Sequence, residues 1–134
     1  MAKLVDVEGI GSVYAGKLKE HGVQTTDDLL EQGATPKGRK DIAERTGISG
    51  KLILEWVNHV DLFRIKGVAE EYADLLEEAG VDTIPELAQR SADNLYAKLN
   101  EVNTAKKLVR QLPSKDQVAA WIESAKQLPR KITY

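Results

Sequence analysis

Apolar positions along this chain recur every three or four residues and do not alternate. Leu52, Trp56, Val60 and Phe63 form one such series, and Val118, Trp121, Ile122 and Ala125 another. That is the spacing of a helix with one buried face. No run of alternating β-branched residues supports a strand. The polar positions between these series read as helix punctuation. Thr25-x-x-Asp28 and Thr83-x-x-Glu86 place a hydroxyl where it can take an orphan amide and an acid in the positive first turn. Thr35 before Pro36 gives a cap followed by proline at the first helical position, and Ser114-x-x-Gln117 forms another capping box. Gly22, Gly47 and Gly80 stand where helices end in a left-handed residue. These marks predict helices at about 12–21, 26–32, 36–46, 50–63, 70–79, 84–90, 92–100, 103–111 and 115–127. The expected fold is all-α.

The chain also resembles itself. Shifted by 58 positions, Gly9 falls on Gly67, Tyr14 on Tyr72, Ala15 on Ala73, Leu18 on Leu76, Gly22 on Gly80, Val23 on Val81, Thr25 on Thr83 and Leu29 on Leu87. Further on, the segment 52–60 resembles 117–125, with Trp56 answering Trp121, at an offset of 65. Internal similarity of this kind is the signature of a repeated supersecondary unit. Two units are expected, 1–64 and 65–134, packed as one compact domain.

Length and composition exclude several classes. A chain of 134 residues is long enough to bury a core. It holds no cysteine, so disulfides, zinc–thiolate sites and thiol catalysis are ruled out. Neither a signal peptide nor an apolar stretch of the roughly 20 residues that span a membrane is present, and a cytoplasmic protein is expected. The net charge of −2 argues against strong generic attraction to nucleic acid.

Gly9-Ile10-Gly11 lies immediately before the predicted first helix. Two glycines around an apolar residue let the chain turn sharply while the apolar side chain points inward. The amides of Gly11, Ser12 and Val13 would then open a helix N-terminus, a place that suits a phosphate. A tight turn chosen only for packing explains the same spacing. The pattern from Val7 to Ala15 (Val-Glu-Gly-Ile-Gly-Ser-Val-Tyr-Ala) resembles the hairpin of helix-hairpin-helix domains. A second copy runs from Ile65 to Ala73, with Ala69 in place of the second glycine. The surrounding phrases resemble a prokaryotic family that carries tandem hairpins of this kind and is described as a domain of unknown function. The resemblance implies sequence-independent DNA binding, through hairpin amides to backbone phosphates. It departs from the pattern in two places. Too few residues precede Gly9 for more than one turn of a first helix. From 66 to 88 the chain carries one lysine against seven acids, with Glu70 and Glu71 at the phosphate-facing end. A duplex phosphate would be repelled there, so the second hairpin is expected to be structural.

The candidate nucleic-acid-binding residues are therefore Gly9, Ile10, Gly11 and Ser12 of the first hairpin, helped by Lys17. Two basic stripes join them: Lys37, Arg39 and Lys40, and Lys106, Lys107 and Arg110, the last three expected on one side of a short helix. A solvated, solubilising surface is the competing account of both stripes. Trp56, Trp121, Tyr14 and Tyr72 could stack on single strands, but their matching places in both units point to the core. Catalysis is not expected. His21 and His59 lack a second ligand at metal spacing, and no nucleotide loop or acid–base pair appears. Glu70, Asp74 and Glu78 share a helix face that could hold a divalent cation, with a hydrated surface the simpler account. No cofactor is expected. The alternative to a DNA-binding module is a protein-interaction or scaffold module whose hairpins only turn the chain and whose acidic helix meets a basic partner.

Overall fold

A computed structural model describes residues 3–7 and 9–134, so Glu8 of the first hairpin pattern lies outside it. The predicted caps set most helix starts. The Asp28 amide donates to the Thr25 hydroxyl at 3.1 Å while the Asp28 carboxylate accepts from the Thr25 amide, a closed capping box. Thr35 takes the Gly38 amide, Thr83 the Glu86 amide, and Ser114 the Gln117 amide, with Gln117 returning the bond. The helices that result are α1 (Gly11–Glu20), α2 (Thr26–Gln32), α3 (Pro36–Thr46), α4 (Gly50–Asp61), α5 (Glu70–Glu78), α6 (Ile84–Ala88), α7 (Ala92–Lys106) and α8 (Lys115–Gln127). Single 3-10 turns, Leu4–Asp6 and Leu62–Arg64, precede the two hairpins. The described residues contain no strand: the fold is all-α.

The helix expected at 103–111 does not form. α7 runs unbroken through Lys106 and stops at Lys107, whose φ of 52° is left-handed. The cause is Asn103. Its carboxamide accepts from the Val109 amide at 3.0 Å and donates to the Val109 carbonyl at 3.2 Å. Val109 is buried by this clip, and both of its backbone groups are taken out of any helical ladder. The segment between α7 and α8 is therefore irregular.

Contacts divide the chain into two compact units. The first runs to Asp61 and takes in Lys131–Tyr134; the second is Leu62–Arg130. The boundary expected after residue 64 thus lies three residues later than the observed one, and the last four residues group with the first unit. In the first unit α4 is the central helix, packed against α2 and α3, while α1 lies against α3. Ile10, Leu18, Leu29, Ile42, Ile53 and Trp56 fill its core. In the second unit α8 packs on α6 and α7, and α5 on α7, over Leu75, Leu76, Leu87, Leu95, Leu99 and Trp121.

Candidate functional site

The two hairpins are laid down by the same bonds. In the first, the Val7 amide donates to Leu4 and the Ile10 amide to Val7; in the second, Ile65 donates to Leu62 and Val68 to Ile65. The chain then takes the same turn at Gly9 and Gly67, each with φ of +89°. A Cβ on Gly9 would stand 3.4 Å from Trp56 Nε1, and one on Gly67 would stand 3.4 Å from Trp121 Nε1. Glycine adopts this left-handed conformation without the strain that a side chain would bring. Tyr14 lies 5.2 Å from Trp56, ring centre to ring centre, and Tyr72 lies 5.2 Å from Trp121. Both tryptophans are 3% exposed. They are core residues, closed to stacking bases.

Past this point the hairpins differ. Ile10 is buried as the spacing implies, and Gly11 turns with φ of +64° directly into α1. Gly11, Ser12 and Val13 are exposed, Val13 by 72%. No acid sits in that first turn, whose amides have no intrahelical acceptor. At the second hairpin Ala69 is extended, with φ of −114°, and α5 begins one residue later on Glu70 and Glu71. Those carboxylates themselves answer the positive end of the helix.

Lys17 is exposed but lies in the last turn of α1, about 9 Å along the axis from Gly11. Lys37 and Lys40 are exposed on α3, beside α1. Arg39 does not stand with them. It is 7% exposed, and its guanidinium donates to the Gly33 carbonyl at 2.9 Å and to the Thr133 carbonyl at 2.7 Å. It also lies 5.7 Å from the Tyr134 ring centre. Burial lowers its pKa from the ordinary arginine value, with Tyr134 acting in the opposite sense. Arg39 is a structural cation here, and the stripe expected on α3 is two lysines.

The second stripe is likewise redistributed. Lys106 is held by Glu78 of α5, Lys107 is the left-handed residue that ends α7, and Arg110 is exposed in the segment beyond it. They do not share a helix face, because the helix expected to carry them is absent. Ion pairs take up much of the local positive excess: Lys115 reaches Asp93 at 3.1 Å and Lys131 reaches Glu31 at 2.7 Å. Such exposed pairs add little stability, but they reduce the charge a phosphate would meet. Arg45, in the same basic run as Lys40, is held by Asp41 at 3.1 Å and by the His21 carbonyl.

Sequence reasoning missed several things. His59 is buried in α4, which its place on the apolar Trp56–Val60 face could have signalled. Nothing local announces the burial of Arg39. Among the described residues no three carboxylate or imidazole side chains come together in a group that could hold a metal ion. No described helix is long and apolar enough to cross a membrane.

An all-α chain of two helical units, each opened by a glycine turn locked on a tryptophan, is the class this geometry defines. Residues 8–128 match the family described as a domain of unknown function (DUF4332), and the chain belongs to that family. It matches none of the curated proteins and no solved structure.

Proposed function

We propose that the chain is a non-enzymatic helix-hairpin-helix module that binds the phosphate backbone of DNA without reading sequence. Its first hairpin makes the contact. The agreement between residues 4–23 and 62–81 in turns, bonds and tryptophan seats supports the reading of both as hairpins of one kind. The observation that carries the function is the contrast at their helix starts. α1 opens on exposed Gly11, Ser12 and Val13 with no acid, whereas α5 opens on Glu70 and Glu71. A helix N-terminus of the first kind attracts an anion, and one of the second kind is already neutralised. Lys37 and Lys40 on the neighbouring helix add sequence-independent attraction, and Lys17 a contact further along the backbone. Lys107 and Arg110 are further exposed cations, on the second unit.

The test is fluorescence anisotropy with labelled duplex, single-stranded and branched DNA between about 50 and 200 mM salt, the range over which phosphate contacts show themselves. Binding is expected to weaken steeply with salt, to vanish in Gly11→Glu and to persist in Glu71→Ala. Absence of binding at the lowest salt would remove the reading.

One observation favours the alternative, a protein-interaction module with purely structural hairpins. Val13 is 72% and Val5 44% exposed, both beside the first hairpin. Val13→Ser separates the readings: it leaves phosphate binding intact and weakens an apolar protein contact.

A further inference from the structure

Four residues that follow α8 in sequence are gripped by the first unit, each through a different chemistry. Lys131 pairs with Glu31 at 2.7 Å. Ile132 is buried, 2% exposed. Thr133 donates its amide to the Ala34 carbonyl at 2.8 Å and accepts from Arg39 at 2.7 Å, so both of its backbone groups are read. Tyr134 donates its hydroxyl to Asn58 Oδ1 at 2.7 Å and faces the Arg39 guanidinium.

The receiving groups belong to elements with partners of their own. Ala34 and Gly33 form the turn between α2 and α3, held by the Thr35 cap, and Asn58 rides on the central helix α4. The segment itself has no regular structure, and of its four side chains only Ile132 is fully buried. Its grip therefore comes mainly from directional bonds, with one apolar anchor. This is how an extended peptide is recognised: main-chain bonds give affinity and one or two side-chain seats give specificity.

We propose that the first unit carries a recognition site for a short peptide of the pattern basic, branched apolar, hydroxyl-bearing, tyrosine, the hydroxyl of Thr133 donating to the Ala34 carbonyl at 3.4 Å, and that Lys131–Tyr134 is its tethered occupant. Tethering raises the effective concentration of the segment to the millimolar range, so a weak site stays filled through directional bonds and one buried side chain. Release is then a local opening, not global unfolding.

The test uses the full chain carrying Ile132→Asp, followed by amide NMR and hydrogen exchange, and titrated with a synthetic peptide of residues 127–134. The amides of Ile53, Val57 and Trp121 are expected to keep their protection. The Arg39 and Asn58 side-chain signals should move, then return toward parent positions as the peptide reaches millimolar concentration. The same peptide with Ile132→Asp should leave them unmoved. A folded variant whose Arg39 and Asn58 signals ignore the peptide would overturn the proposal. If Ile132→Asp destroys protection at Ile53 and Val57, full-chain Tyr134→Ala decides instead, since it spares the buried anchor. Peptide-dependent recovery of its Asn58 signal supports the site, and no recovery sinks it.

Discussion

The two hairpins share their first half and part company at a single position. Up to Gly9 and Gly67 they follow the same bonds and close on a tryptophan at the same distance. At the next glycine position one has Gly11 at φ +64° and the other has Ala69 in extended backbone, and the helix behind it starts one residue later. The shared half is what packing requires, because it seats the chain on the core. The variable half faces water, and there the first unit presents neutral amides and the second presents two carboxylates. The frame is thus the same in both units while its exposed edge differs in charge.

The comparison breaks most readily at the tryptophans. Trp56→Ala and Trp121→Ala should each cost about 3–5 kcal/mol of stability by chemical denaturation, since each removes a large buried ring. A loss at one site under half that at the other would show that the two seats are not equivalent. Next comes the capped start of α3 against that of α7. A Cβ on Gly38 would meet the Gln32 carbonyl oxygen at 1.9 Å, whereas the matching position after the Ser91 cap is exposed Asn94. Gly38→Ala should cost roughly 1–3 kcal/mol through backbone displacement, while Asn94→Ala should change the denaturation midpoint little.

The hairpin edge is sharper still. Nothing lies within 4 Å of a Cβ on Gly11, so Gly11→Ala meets only left-handed strain, about 1–2 kcal/mol. Ala69→Gly, at an extended N-cap, should stay within about 1 kcal/mol of the parent. Equal costs at the two positions would erase the distinction between the hairpins. The smallest effect concerns binding. Glu70→Ser with Glu71→Val copies the first hairpin's residues into the second. If charge alone closes that edge, DNA affinity and its salt dependence rise; if the backbone closes it, they rise only when Ala69→Gly is added.

The sequence made legible whatever depends on neighbours in the chain. The caps at Thr25, Thr35, Thr83 and Ser114, the left-handed Gly22, Gly47 and Gly80, and the inward Ile10 all follow from spacings of a few residues. The end of α7 was not legible, because the pattern of residues 103–111 suits a helix until Asn103 folds its carboxamide back on Val109. The candidate cations were read by type and proximity in sequence. Their fates were settled by distant partners: Glu78 for Lys106, and Thr133, 94 positions away, for Arg39.

That last bond sets an order in time. A chain made from its N-terminus releases α1 to α4 first, and domains commonly fold as they emerge. Yet Arg39 lacks one of its two carbonyl partners until the second unit and Thr133 beyond it have been synthesised. Of these two units, the one synthesised earlier takes its last contacts from residues that follow the later one.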